Sequence, residues 1–432
     1  MRRRWVALAA ACAVLAPAPV LSAAPAGVSS YVVMLAAGTG DPAAVAAEQA
    51  TVLGFTVDHV YRSAITGFAA DLTAPDLAAL RRDPRVVVVE PDRPLTRSEV
   101  TPPGIDRIEA DMSVSAAIDG ADRPRIDADV AVLDTGIDKD HPDLNVVGGV
   151  NCAKEEDEDH PRPGYDDVVG HGTHISGIIG ALDDGHGVVG VAPGVRLWAV
   201  RVLNDQAGGT TKELLCGVDW LTSTRTDSDP SNDIDVANLS LGGYNVANGQ
   251  RLPGDDGHCG HVDGDLLHRA ICKSVAAGVT YVVAAGNDGR NADEYTPAAY
   301  DEVITVSALA DSDGRPGGLG GAPSCRDDVD DTLANFSNYG PDVDLIAPGV
   351  CILSTVPPNG RVPNTERGYG LLTGTSFAAP HVAGAAALFL AGHPGAGPAQ
   401  VRQALIAAGS PNWDADEDLD GTKEPLLDVA PF

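Results

Sequence analysis

Between residues 129 and 390, short apolar runs of strand length alternate with longer stretches of helical spacing. The strand-like runs are 129–133, 195–202, 235–241 and 279–284. The helix-like stretches are 171–182, 211–221, 265–277 and 376–390. A run that is apolar at every position suits a strand buried on both faces, as in a parallel sheet, and parallel strands need crossover helices between them. The pattern therefore predicts an α/β fold: a mostly parallel, doubly wound sheet with helices on both faces. The chain has 432 residues, 44% of them hydrophobic. That is enough for such a core and for a further small unit.

The smaller unit is expected between residues 31 and 92. A strand at 31–35, an Ala-rich helix at 41–53, alternating runs at 55–61 and 67–72, a helix at 74–82 and a strand at 86–90 give the order βαββαβ, a ferredoxin-like α+β arrangement. Residues 93–106 are polar and contain proline, as an exposed, cuttable junction would. No internal repeat is visible. Arg2-Arg3-Arg4, the Ala/Val/Leu-rich stretch 5–20 and the small-residue site Ala24-Pro25-Ala26 read as a secretory signal peptide over residues 1–26. The apolar run is short and broken by Pro17 and Pro19, and nothing later is expected to be long and apolar enough to span a bilayer, so no membrane anchor is expected. Export agrees with the cysteines. Cys12 leaves with the leader, and six remain, an even number that suits disulfides while leaving many pairings open. Zinc ligation is disfavoured, because no Cys-x-x-Cys pair exists. A formal net charge of −32 argues against nucleic acid and anionic membranes as partners.

Three segments carry the chemistry. Asp134 ends an apolar strand in Val132-Leu133-Asp134-Thr135-Gly136, and His171 opens a helix in Gly170-His171-Gly172-Thr173-His174. Ser376 lies at a helix start in Gly374-Thr375-Ser376-Phe377-Ala378-Ala379-Pro380-His381. Singly, these are ordinarily a turn residue, a structural histidine and a helix cap. Together they supply what a weak serine nucleophile needs: a base in reach and an acid that orients the base. The order Asp, His, Ser differs from the chymotrypsin order, and the Gly-x-Ser-x-Gly elbow of α/β-hydrolases is absent.

On these motifs the chain closely resembles the subtilisin-like serine proteases (subtilases), and its N-terminal unit resembles their propeptide. The propeptide match rests on Tyr31, Val33, Gly67-Phe68-Ala69-Ala70-Asp71-Leu72 and residues 83–92. The resemblance implies a secreted, extracellular serine endopeptidase with propeptide 27–97 and peptidase domain 98–432, the propeptide serving as folding assistant and intramolecular inhibitor. Self-cleavage is implied between residues 94 and 101, near Ser98. The family scheme makes Asp134, His171 and Ser376 the triad. Asn287, in Ala284-Ala285-Gly286-Asn287, becomes the oxyanion donor. Ser240, Leu241, Gly242 and Gly243 become a substrate-binding strand and, with Ala284, Ala285, Gly286 and Tyr295, the walls of a roomy slot. That slot would favour apolar or aromatic side chains before the cut. Asp288, Asp293 and Glu294 would sit near its rim, and an insertion at 244–263 adds Asp255 and Asp256. Phe377 stands where the family usually has Met. A structural calcium ion is implied, held by the side chains of Asp143 and Asp184 and the carbonyls of Leu182, His186 and Val188, with Glu99 a weaker candidate. Residues 414–421 resemble half of an EF-hand loop but lack its glutamate, so a solvated loop is expected there. Cys259 with Cys272 and Cys325 with Cys351 are close in sequence and are expected to pair, leaving Cys152 with Cys216. Peptides and proteins are the expected substrates of a monomer. The competing reading, a catalytically silent binding protein on this fold, would ordinarily have lost a triad member.

Overall fold

The computed structural model describes residues 29–92, 99–121, 126–153, 164–244, 246–247, 250–251, 254–363, 365, 367–415 and 421–432. The expected leader at 1–26, the expected cleavage site near Ser98 and most of the acidic run at 414–421 lie outside the described residues. The chain forms two compact units, Met1–Thr96 and Arg97–Phe432.

The first unit runs β1 (Ser29–Leu35), α1 (Pro42–Leu53), β2 (Val57–Tyr61), β3 (Gly67–Leu72), α2 (Ala74–Leu80), β4 (Val86–Pro91). Its four strands pair antiparallel in the order β2-β3-β1-β4, the ferredoxin-like arrangement expected. Asp41 caps α1 through its side chain, and Thr73 and Asp76 close a capping box on α2. Val33, Leu35, Val45, Phe68, Leu72 and Leu80 form its core.

The second unit opens with α3 (Pro103–Arg107), β5 (Asp129–Asp134), β6 (Val146–Asn151), α4 (His171–Gly180), β7 (Arg196–Arg201), α5 (Thr211–Thr224) and β8 (Val236–Leu239). Three two-residue strands follow, β9 (Gly243–Tyr244), β10 (Val246–Ala247) and β11 (Gln250–Arg251), then α6 (Leu266–Ala276), β12 (Thr280–Ala284) and β13 (Tyr295–Thr296). The chain ends through β14 (Ile304–Ala310), β15 (Thr332–Leu333), β16 (Leu345–Pro348), β17 (Ile352–Thr355), β18 (Tyr369–Leu372), α7 (Thr375–Gly392) and α8 (Pro398–Ala408). The main sheet has the order β15-β14-β12-β8-β5-β7-β6, with β16 also on β14. Every pair in it is parallel except β14·β15. From β5 the chain builds outward one way through β7 and β6, then returns and builds the other way from β8. The winding therefore reverses between β5 and β8, where ligands bind at the carboxyl ends of strands in such sheets.

β5 shows why the sequence gives this layering. Val130 and Val132 face a core with Ile175, Ile178 and Val382, whereas Ala131 and Leu133 face another with Leu214, Val218 and Ile271. Three disulfides, Cys152–Cys216, Cys259–Cys272 and Cys325–Cys351, match the expected pairing. The first spans 64 residues, and closing a loop of that length in the unfolded chain is worth roughly 4 kcal/mol in the entropic account.

Two expectations need correction. The helix starting at His171 stops at Gly180, not at 182, because the returning chain caps its last carbonyls: Val191 N–H donates to Ile178 O at 2.9 Å and Ala192 N–H to Ile179 O at 2.8 Å. The segment after it does not resume a helix. Also, α7 is long and apolar enough to cross a membrane by length and composition alone, contrary to expectation. Its 72% burial within the unit makes it a core helix instead.

Candidate active site

Asp134 is the last residue of β5, and its side chain is wholly buried. Both of its carboxylate oxygens lie 2.8 Å from His171 Nδ1. A carboxylate accepts, so Nδ1 carries the hydrogen and Nε2 is left as the base. The approach is close because residue 172 is glycine: a Cβ there would lie 2.1 Å from Gly136 O and 3.1 Å from Asp134 Cβ. Thr135 completes the junction, its Oγ1 accepting from Gly172 N–H at 3.0 Å.

The start of α4 has an anchor that sequence reasoning missed. Asp167 is buried, and its carboxylate accepts from the N–H groups of Val169, Gly170 and Thr173 and from the Thr173 hydroxyl. It fills the capping role that Gly170, lacking a side chain, cannot. The spacing Asp-x-x-Gly-His before a helix was the signal for it. Burial pulls the His171 pKa down, but the charge and hydrogen bond of Asp134 and the charge of Asp167 outweigh it, so the net shift is upward. Two other histidines are buried nearby. Burial pushes His174 down to about 3 and His381 down to about 4, so both are neutral at ordinary pH.

Ser376 stands in the first turn of α7. Pro380, four residues on, has no N–H to give the Ser376 carbonyl. Ser240 Oγ donates to that carbonyl at 2.7 Å, tying the Ser376 backbone to the segment after β8. Among the described residues, Ser376 Oγ donates to Ser240 O at 3.2 Å rather than to the imidazole. Catalytic hydrogen bonds are often loose before substrate binds. The Phe377 ring lies 5.3 Å from the His171 ring and 4.8 Å from the His174 ring, both edge-on, so it packs against the histidine pair.

Asn287 follows β12. Its Oδ1 accepts from Thr375 N–H at 2.8 Å and from Thr375 Oγ1 at 3.0 Å, while Gly286 N–H donates to Thr375 Oγ1 at 3.1 Å. With the oxygen held, the Asn287 Nδ2 hydrogens remain for a ligand. Thr375, wholly buried, is thus a positioning residue for the amide, and sequence reasoning gave it no role.

A cavity of about 580 Å³ adjoins His171. Ser240, Leu241, Gly242, Gly243 and Tyr295, read in the sequence as candidate substrate-binding residues, line it. Residues 207–211 also line it, a segment that was not anticipated. Ala284, Ala285 and Gly286 are not on this cavity but lie buried beside it. The Tyr295 ring sits against both proposed walls: a Cβ on Gly242 would lie 2.5 Å from Tyr295 Cε1, and one on Gly286 3.1 Å. Gly243 and Tyr244 pair antiparallel with Thr296 and Tyr295, so that stretch of the strand already has a partner.

The chain was then compared with known proteins. Residues 127–422 match the Subtilase family, and residues 30–98 match Peptidase inhibitor I9. The chain belongs to the subtilase family. Subtilisin NAT of Bacillus subtilis subsp. natto is 35% identical over 345 residues, covering 79% of this chain and 74% of that protein. The extracellular serine proteinase of Thermus sp. strain Rt41A is 35% identical over 367 residues, 83% of this chain and 74% of its own. The crystal structure of a cold-adapted subtilisin-like serine proteinase superposes with a TM-score of 0.55 at 29% identity, over 77% of this chain and 99% of that one. This subtilase is therefore a subtilisin-like serine endopeptidase with an inhibitor-type propeptide domain.

The residues expected to hold calcium also come together in this subtilase. The buried Asp143 carboxylate accepts from Val188 N–H at 3.1 Å and from the Tyr369 hydroxyl at 3.0 Å through Oδ2. Its Oδ1 is buried without a hydrogen-bond partner among the described residues. Asp184 Oδ1 accepts from His186 N–H at 3.0 Å, which folds the loop 182–188. Glu99 Oε2 accepts from the N–H groups of Asp184 and Gly185. An orphaned buried carboxylate oxygen amid loop oxygens suits a hard cation.

Proposed function

We propose that this subtilase is exported, cuts itself from its propeptide and hydrolyses peptide bonds through Asp134, His171 and Ser376. The observation that carries the reading is the His171 Nδ1 held 2.8 Å from both oxygens of buried Asp134, with Ser376 at the head of α7 nearby. A substrate strand would lie between 207–211 and 240–242, bonded by its main chain. Ser376 Oγ turns from Ser240 O to His171, attacks the scissile carbonyl and gives its proton to Nε2. The resulting oxyanion is bonded by Asn287 Nδ2–H and Ser376 N–H, aided by the N-terminal dipole of α7. His171 then protonates the leaving amine. Water, activated by the same base, releases the acyl group. Large apolar or aromatic residues are the proposed preference before the cut. The acidic residues Asp288, Asp293 and Glu294 disfavour acidic ones there.

The reading is tested by casein hydrolysis with and without a serine-directed inhibitor, and by peptide mapping of the label. Hydrolysis that withstands the inhibitor, or a label away from Ser376, would overturn it. Asn287→Leu is expected to lower kcat by about 10²–10³-fold with KM little changed, a magnitude carried over from the corresponding donor of subtilisin itself rather than derived. Steady-state kinetics on a chromogenic peptide would read the split.

Calcium belongs to the same proposal. Asp143 and Asp184 would hold it through side chains, and Leu182, His186 and Val188 through carbonyls, with Glu99 bound to the loop N–H groups beside them. Its contribution is structural, pinning 182–188. At a calcium concentration of 100 times Kd the stabilisation is about 2.7 kcal/mol. Chelation should lower Tm by several degrees, and a Tm unmoved by chelator would count against the site.

A further inference from the structure

The insertion after β9 brings Asp255 and Asp256 against α6. His268, in the first turn of that helix, is wholly buried, and its ring stacks on Tyr300 with centroids 4.1 Å apart. Nε2 lies 2.9 Å from Glu302 Oε2. The carboxylate accepts, so this nitrogen carries the hydrogen and Nδ1 presents a bare lone pair. Nδ1 is buried with no hydrogen-bond partner among the described residues. It faces Asp255 Oδ1 at 3.9 Å and Asp256 Oδ1 at 3.8 Å, beyond hydrogen-bond reach. A lone pair turned toward two carboxylates is repulsive unless positive charge lies between them. A carboxylate behind the imidazole, fixing the tautomer from the far side, is the usual outer partner of a metal-bound histidine.

We propose that His268 Nδ1 and Asp255 bind a divalent transition cation of the zinc class, with Asp256 as compensating charge and Glu302 as outer carboxylate. The imidazole donor argues for zinc-class over calcium-class ions. Both carboxylates are held in advance. Asp255 accepts from Gly257 N–H through Oδ1 and from Asp301 N–H through Oδ2. Asp256 accepts from His258 and Gly260 through Oδ1 and from Val262 and Asp263 through Oδ2. Asp255 Oδ1 keeps a lone pair for the ion. Asp256 Oδ1 already accepts two hydrogens, so it contributes charge. Zinc at about 2.0–2.2 Å from each donor would draw the donors to about 3.3–3.5 Å apart, a closure of a few tenths of an ångström. The ion would fasten the insertion to α6 beside the Cys259–Cys272 disulfide. Leu267, next to His268, lines the candidate cavity with Tyr295, so the ion would brace one wall of the substrate site.

The full-length protein, blocked with a serine-directed inhibitor, is equilibrated with Zn²⁺, dialysed and counted by elemental mass spectrometry. Cobalt(II) absorption serves as a second probe. The expected result is one zinc retained per chain, a raised Tm and cobalt d–d bands. Asp255→Asn should weaken zinc binding by at least about tenfold and Glu302→Gln by about 10–100-fold. Asp255 is partly exposed, with 16% of its side chain accessible, so its variant keeps the test open should a His268→Asn protein fail to fold. No zinc retained would overturn the proposal and leave a proton as the occupant. Undiminished retention by both Asp255→Asn and Glu302→Gln would also overturn it, as would displacement of the zinc by millimolar calcium.

Discussion

Replacing Ser376 with alanine is expected to lower kcat by about 10⁶-fold, the loss known for the corresponding change in subtilisin and carried over here rather than derived. The physical reason is that the neighbouring hydroxyls are already committed, Ser240 Oγ to the Ser376 carbonyl and Thr375 Oγ1 to Asn287 Oδ1. The variant should fold, since Oγ gives up one hydrogen bond of 3.2 Å, worth about 1 kcal/mol. A precursor that folds, keeps its propeptide and leaves casein intact is the predicted outcome. Gel analysis and N-terminal sequencing of the purified variant would check it. Cutting near Ser98 in the absence of any other protease would show that processing is not done by this serine.

Asp134→Asn should lower kcat by about 10⁴-fold while leaving KM and Tm nearly unchanged. The amide is nearly isosteric but presents an N–H toward the imidazole, so the other tautomer is favoured and Nε2 stops being the base. The acid limb of the activity profile should also move. His171 must be neutral to take the proton, and the Asp134 charge and hydrogen bond act against burial to raise its pKa. In the native protein activity therefore falls as pH drops through that raised value. In the variant the residual activity should persist to lower pH. His174 and His381, at about 3 and about 4, titrate too low to produce that limb. A pH profile of kcat/KM for the two proteins reads the shift, and an acid limb that stays in place would remove Asp134 from the account.

What could be read in the sequence was whatever local spacing encodes. β5, β7, β8 and β12 appeared as mostly apolar runs because most of their residues are buried, and the first helix of the propeptide appeared through its alanine content. β6 escaped because Val146–Asn151 carries two glycines and none of its residues is fully buried. β14 and β16 were not singled out, although both are buried throughout. The proposed triad was legible as motifs, but not all the residues around it were. Asp167 caps α4 locally, and its Asp-x-x-Gly-His spacing was a signal that went unread. Thr375 and the Ser240 hydrogen bond to the Ser376 carbonyl act through contacts that join distant parts of the chain, and no spacing rule links residue 240 to residue 376. The pocket was harder still. The walls were assigned by resemblance, and only three-dimensional packing sets the Tyr295 ring against Gly242 and Gly286 and brings 207–211 to the cavity.

The parallel sheet has a consequence for biosynthesis. Asp134 leaves β5, His171 opens α4, Asn287 follows β12 and Ser376 opens α7, so the four groups emerge from the ribosome far apart in time. Each parallel pairing that brings them together must close a long crossover before its contacts reward it, which makes such a topology slow to fold. The antiparallel β2–β3 pair of the propeptide, by contrast, joins neighbours in sequence and is made early. Under the proposed mechanism, a partly synthesised or partly folded chain accordingly holds no assembled catalytic groups.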